Sequence, residues 1–150
     1  MNRSIPVVVT GVLIAWAVVG CRPSASPSHR PDVVATSSLP VVSSTELESL
    51  VQGSDRPLLV EFGVNFGCFR CDQMRPEMNR LAQRFEGRAE VVRVDFNANR
   101  RWAMQFGATV CPSYVLFDQT RVVSTRSFPT SADLLAADLE SVVARKGDGL

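Results

Sequence analysis

Cys68-Phe69-Arg70-Cys71 separates two segments of the chain that have different apolar patterns. The apolar run at residues 58–62 predicts a buried strand before it, and Gly63 and Gly67 lie between that strand and the first cysteine. Apolar residues then recur every three or four positions, which predicts one face of a helix. The members of this face are Cys71, Met74, Met78, Leu81 and Phe85. Two cysteines three positions apart at a strand-to-helix junction indicate dithiol chemistry.

The two cysteines have different predicted roles. Cys68 should lie at the helix N-terminus, where backbone N–H groups and the helix dipole stabilise an anion, so we expect its pKa to lie below the value of about 8.5 for a free thiol. Arg70 adds a positive charge that favours the thiolate further. We therefore predict that Cys68 is the attacking thiolate and that Cys71 is the resolving thiol. An inert structural disulfide is the alternative, but a loop closed over so few residues restrains the unfolded chain little.

The N-terminal residues 1–20 predict a secretory signal. Arg3 precedes an apolar run at 5–19, which is shorter than the roughly 20 residues of a comfortable membrane span. Gly20-Cys21 resembles the lipobox of bacterial lipoproteins, which implies a cleaved signal peptide and lipidation of Cys21. The chain would then be lipid-anchored in the bacterial cell envelope, facing the periplasm or another extracytoplasmic space. An uncleaved anchor or ordinary cleavage nearby are the alternatives, and both export the rest of the chain.

Residues 21–42 predict a tether between membrane and domain. Residues 22–40 carry five Ser, four Pro and the single His of the chain, and they lack apolar periodicity. We expect His29 to be solvated. Without partners it cannot serve as a catalytic base or zinc ligand, which argues against a Cys-His hydrolase or a zinc protein.

Residues 43–150 predict one α/β domain with a single core. The formal net charge of +1 offers no basic surface for nucleic acid, so we expect no nucleic-acid partner. The predicted order is αβαβαββα, a sheet covered by helices. Its elements are a helix capped at Ser43 or Ser44 with Glu46, strand 58–62, a helix to Phe85, strand 91–94, helix 100–106, strands 114–117 and 121–126, and a helix capped by Thr130 with Asp133.

Three separated features within residues 43–145 resemble thioredoxin. The first is Val60-Glu61-Phe62 leading into the two cysteines, the second is Pro76 inside the following helix, and the third is the segment 106–113 before the hairpin. The resemblance implies a thioredoxin-like fold with a central mixed β-sheet flanked by helices. It also implies that no organic cofactor is needed, because the sulfurs carry the electrons.

The resemblance also implies roles for individual residues. Pro112 would be cis and lie against the two cysteines, and the backbone of Cys111 would pair with an incoming peptide. Phe69, which stands with Arg70 where thioredoxin has Gly-Pro, completes the predicted substrate-binding set. Glu61 lies near the family's buried acid, which relays a proton to the resolving cysteine. A strand-edge carboxylate facing water is the alternative for Glu61.

Cys111 departs from the resemblance, because the family usually has Thr, Val or Ile before the cis-proline. Three interpretations remain: a small buried residue that fills space, a thiol that exchanges with the disulfide, and a ligand in a three-thiolate site for Cu(I) or Zn(II). We favour them in that order, and we predict no metal, because no His or fourth thiol is evident.

The predicted function is thiol–disulfide exchange by an exported, membrane-tethered domain. Its partners would be protein thiols and disulfides together with a membrane redox donor. Arg70 should make the couple more oxidising than thioredoxin's, which is about −270 mV, whereas many lipid-anchored relatives act as reductants, so the direction stays open. The alternatives are a protein-binding module whose disulfide is idle and a copper-delivery protein.

Overall fold

The structure is a computed structural model that describes residues 38–147, and this part of the chain has four helices and four strands. They are α1 Ser44–Gly53, β1 Leu58–Gly63, α2 Phe69–Arg84, β2 Glu90–Asp95, α3 Arg100–Gln105, β3 Ser113–Asp118, β4 Arg121–Ser127 and α4 Ala132–Gly147. The order confirms the predicted αβαβαββα pattern. The predicted signal at 1–20, Cys21 and His29 lie outside the described residues. No helix within residues 38–147 is long and apolar enough to cross a membrane.

The strands form one mixed sheet in the order β2-β1-β3-β4. β1 runs parallel to β2 and antiparallel to β3, and β4 pairs antiparallel with β3. All six residues of β1 are buried, as expected for a central strand that has helices on both faces of the sheet. The predicted fold class, a thioredoxin-like α/β fold with a central mixed sheet flanked by helices, is confirmed.

Two apolar clusters cover the two faces of the sheet. One joins α2 and α4 to the sheet and includes Met78, Phe85 and Leu139, all fully buried. The other contains side chains from α1 and α3 and includes Leu47 and Phe62. Because full burial of one such side chain is worth about 1.5–3 kcal/mol, the first cluster holds α2 firmly against the sheet. The predicted apolar face of α2 is confirmed.

The capping predictions succeed at α1 and fail at α4. The Ser43 side chain accepts a hydrogen bond from Glu46 N at 3.3 Å, and Ser43 N donates to the Glu46 carboxylate at 2.7 Å. At α4 it is Ser131, not Thr130, whose hydroxyl accepts from Leu134 N at 3.3 Å. Because α4 starts at Ala132, Thr130 lies one position too early to cap it.

The folded domain begins before the predicted boundary at residue 43. Leu39 is buried in the core, and its N–H donates to Asn79 Oδ1 at 3.0 Å. Arg93 in β2 donates its N–H to Pro40 O and accepts at its own carbonyl from Val42 N, both at 2.8 Å. The segment packs on the domain because the outer edge of β2 has open backbone groups that it satisfies.

Candidate functional site

Cys68 lies where β1 and its following loop meet the first turn of α2. It is the N-cap of α2, with extended backbone, and its Sγ accepts a hydrogen bond from Cys71 N at 3.1 Å. Gly67, with φ of +75°, provides the left-handed backbone just before it. The N-terminal end of α2 therefore points one of its free N–H groups, that of Cys71, at the Cys68 sulfur.

Cys68 and Cys71 are joined by a disulfide, with a Cα–Cα distance of 5.3 Å. Cys71 is 1% exposed, whereas Cys68 is half-buried. One sulfur is thus open to a partner and the other is covered. This difference matches an attacking thiol and a resolving thiol.

Cys111 brings a third sulfur to the same place. The Cys111–Pro112 peptide bond is cis, and Cys111 Sγ lies 3.2 Å from Cys71 Sγ and 3.9 Å from Cys68 Sγ. Burial raises the pKa of the Cys111 thiol above its usual range. The thiol is only partly buried, and its side chain packs against the apolar cluster that contains Leu47 and Phe62, so packing alone does not decide between the three interpretations. Cys111 also lies at the rim of a cavity.

This cavity, of about 440 Å³, opens beside the disulfide. Its lining includes Phe66, Cys68, Phe69, Arg70, Phe96 and Cys111. The side chains of Phe66 and Phe69 are 90% and 74% exposed, which is unusual for phenylalanine. Phe69 was predicted as part of the site, but Phe66 was not. An aromatic residue between two glycines of the loop was the available signal.

Arg70 lies in the first turn of α2, and its guanidinium carbon is 4.0 Å from the centroid of the Phe128 ring. A cation over an aromatic face is attracted by the ring's quadrupole. This contact holds the Arg70 charge at the end of α2 that carries Cys68. Phe128 was not predicted as part of the site.

Glu61 is fully buried in β1 and pairs with Arg93 of β2. Arg93 Nη2 and Nε donate to Glu61 Oε2 at 2.7 Å and 3.0 Å, and Glu61 Oε1 has no hydrogen-bond partner among the described residues. Burial raises the pKa of Glu61, and Arg93 offsets part of this effect. The alternative of a carboxylate facing water is therefore wrong.

Gly63 and Tyr114 complete the surroundings of this carboxylate. A Cβ at Gly63 would lie 3.2 Å from Glu61 Oε1, so glycine leaves room for it. Tyr114 is the β3 residue paired with Glu61, and its buried hydroxyl has no hydrogen-bond partner within residues 38–147. Glu61 is thus held in a fully buried, tightly packed position.

Comparisons with known proteins agree with this geometry. The thioredoxin family model matches residues 38–141. Thioredoxin of Haemophilus influenzae is 29% identical over 85 residues, which cover 57% of this chain and 78% of that protein. Thioredoxin 1 of Nostoc sp. is 32% identical over 76 residues, which cover 51% and 70%. The solved structure of a mutant thioredoxin from Halobacterium salinarum aligns with a TM-score of 0.63 and 25% identity, over 71% of this chain and 91% of that one.

Proposed function

The chain belongs to the thioredoxin family of thiol–disulfide oxidoreductases, and we propose that it exchanges disulfides with protein partners at the bacterial cell envelope. The observation that carries the proposal is the Cys68–Cys71 disulfide at the N-terminus of α2, with one sulfur open and one covered. This arrangement lets a partner reach Cys68 while Cys71 is kept for the second step.

In the reducing direction, the Cys68 thiolate attacks one sulfur of the partner's disulfide. A Cys68–partner bond forms, the partner's S–S bond breaks, and its second sulfur leaves as a thiolate. Cys71 then attacks Cys68 Sγ, which forms the Cys68–Cys71 disulfide and releases the fully reduced partner. Two electrons pass to the partner, and the opposite direction reverses each step.

Cys71 must lose its proton before it attacks. We assign Glu61 to this step, because burial raises the pKa of its carboxylate and so makes it a stronger proton acceptor than an exposed glutamate. The pair with Arg93 keeps the carboxylate in place as its charge changes.

The partner should dock as an extended segment next to Pro112. The exposed rings of Phe66 and Phe69 stand at the mouth of the cavity, and Val110, also exposed, precedes Cys111. Apolar residues flanking the partner's cysteine would bury this surface, and backbone hydrogen bonds to Cys111 would fix the register. We therefore infer a preference for apolar, extended segments around the target disulfide.

The location of the proposed activity rests on the sequence pattern at residues 1–21. Lipidation at Cys21 would hold the domain near a membrane redox donor. To test this, the full chain is expressed in a bacterium from its own start, and membrane and soluble fractions are compared. We expect the wild type in the membrane fraction and Cys21→Ser to lose lipid labelling, whereas the matched Cys111→Ser keeps it. An unlabelled wild-type chain that retains its first residues in the cytoplasm would overturn the envelope assignment.

Arg70→Gln should lower the reduction potential of the Cys68–Cys71 couple by about 5–20 mV. The guanidinium stabilises the Cys68 thiolate of the reduced form, so its removal makes the protein a stronger reductant. The potential is measured by equilibration with glutathione buffers followed by alkylation. Arg80→Gln is the matched control, because Arg80 is an exposed residue of the same helix paired with Glu77. A potential that rises, or that shifts equally in the control, would contradict the role of Arg70.

A further inference from the structure

Disulfide exchange uses two of the three sulfurs that meet at the site. The Sγ atoms of Cys68, Cys71 and Cys111 all lie within 4.8 Å of one another, and within residues 38–147 these three form the one cluster able to hold a metal ion. Cys111 contributes a free thiol to this cluster. Its chemistry is not explained by the two-step exchange.

The geometry does not favour Cys111 as an attacking thiol. In thiol–disulfide exchange the attacking, attacked and leaving sulfurs lie close to one line. With Cys111 Sγ 3.2 Å from Cys71 Sγ, a linear arrangement would place Cys111 and Cys68 about 5.2 Å apart, given an S–S bond of about 2.05 Å. The observed separation is 3.9 Å. Cys111 therefore lies beside the disulfide bond, and the three sulfurs form a triangle.

We propose that the reduced chain binds one Cu(I) ion through the thiolates of Cys68, Cys71 and Cys111. Soft thiolate ligands select Cu(I), and a triangle of sulfurs provides three-coordinate binding. A structural zinc ion requires four tetrahedral ligands. The described cluster offers three ligands and includes no carboxylate or histidine, so it suits Cu(I) better than Zn(II).

The surroundings of the sulfurs suit an anionic copper–thiolate centre. The N-terminus of α2 places its positive end at Cys68, and Cys71 N donates to the Cys68 sulfur at 3.1 Å. Glu61 pairs through Oε2 with Arg93 and is not a member of the sulfur cluster. The cavity lined by Cys68 and Cys111 gives an ion a route from solvent.

Copper binding follows reduction of the disulfide and leaves the oxidation state of copper unchanged. A dithiol donor supplies two electrons and two protons, so that Cys68 and Cys71 become thiols and the donor becomes a disulfide. Three Cu–S bonds then form and three protons pass to solvent. The bound ion occupies Cys68, so the copper-loaded chain cannot exchange disulfides. This inference needs a reducible Cys68–Cys71 pair, but not the proposed partners or location.

The test is a titration of the full chain carrying Cys21→Ser, which removes the one cysteine outside the described residues. The protein is reduced, freed of reductant without oxygen, and titrated with Cu(I) in competition with bathocuproine disulfonate. We expect one Cu(I) per chain, three sulfur neighbours by X-ray absorption, and protection of Cys68 from alkylation. Adding Cys111→Ser should leave two sulfur neighbours and weaken binding about 100-fold, since even the loss of an outer-shell partner costs about 10- to 100-fold.

Three results of the titration with Cu(I) alone would overturn the copper site. They are no binding, two sulfur neighbours in the wild-type cluster, and equal affinity after Cys111→Ser. The sulfur count in the chain with Cys111 intact decides the question even if Cys111→Ser fails to fold, which is checked by whether its Cys68–Cys71 disulfide still forms. Displacement of Cu(I) by an equal concentration of Zn(II) would also overturn the assignment. Disulfide exchange is assayed separately without copper, so failure of exchange is distinguishable from failure of copper binding.

Discussion

Cys68→Ser is expected to lower the rate of disulfide exchange by roughly a thousandfold or more, the scale on which loss of a nucleophile acts in other covalent enzymes. The half-buried Cys68 sulfur is the one a partner can reach, because Cys71 is covered. Serine at 68 leaves no accessible thiolate in the pair. The measurement is reduction of a protein disulfide, such as that of insulin, with a dithiol donor.

Cys71→Ser should give a different result from Cys68→Ser. Attack by Cys68 still forms the mixed disulfide, but its resolution stops, so the chain accumulates covalently attached to its partner. Mass analysis of the trapped species identifies both the sulfur and the partner. Cys21→Ser is the control and should keep the wild-type rate. Cys68→Ser protein that exchanges at the wild-type rate would exclude this mechanism, and equal partner binding without any exchange in the wild type would favour a redox-idle binding module.

Arg93→Met is expected to destabilise the fold by about 3–5 kcal/mol at pH 7, because it leaves Glu61 as a buried, unpaired carboxylate. The buried Arg93–Glu61 pair is 6% and 0% exposed at its side chains. Arg56→Met is the matched control, since Arg56 pairs with Glu90 at 2.8 Å but is 47% exposed. We expect the control to cost less than about 1 kcal/mol. Urea unfolding at several pH values measures both variants.

The loss of folding stability caused by Arg93→Met should depend on pH. The pKa of Glu61 is raised in the folded state above the ordinary value of 4.5, so the folded chain holds this proton to higher pH than the unfolded chain does. Stability from this group is therefore greatest below pH 4.5 and falls as pH rises through the folded pKa. Arg93→Met removes a charge that offsets the shift, so the pKa of Glu61 rises further and the total fall of stability with pH should be larger and extend to higher pH. Adding Glu61→Gln to the Arg93→Met variant should remove this dependence of stability on pH. A loss that matches Arg56→Met, or that is the same at every pH, would contradict this account.

The helices and strands of the fold follow from local apolar patterns in the sequence. Alternating and continuous apolar runs define β1 and β2, and the stripe from Cys71 to Phe85 defines the buried face of α2. The predictions missed the cap of α4 and the burial of Leu39, for different reasons. Thr130 and Ser131 are both good capping residues, and only the start of α4 at Ala132 decides between them. Leu39 sits among Ser and Pro residues, so its burial depends on an edge strand that is distant in the sequence.

The site is predictable only in part, because much of it is assembled from distant strands. The two cysteines and their helix position follow from local sequence. Arg93 was missed as the partner of Glu61, although an arginine inside the apolar run 91–94 was a signal that it pairs with a buried acid. Phe128 was missed because its contact with Arg70 joins residues that no local pattern connects. The nearness of Cys111 to both cysteines came from the resemblance, not from spacing.

The segment paired with the outer edge of β2 has a consequence for self-association. An open strand edge invites a strand from a second molecule, which is a route to aggregation. At Arg93 the edge is not open, because the backbone N–H and C=O of Arg93 are already hydrogen-bonded to Pro40 and Val42. A shortened chain that starts at Ser43 would lose these hydrogen bonds and leave the backbone N–H and C=O of Arg93 free to pair with another strand. The backbone of residues 40–42 thus covers the edge of β2 at Arg93 and blocks strand pairing with a second chain at that point.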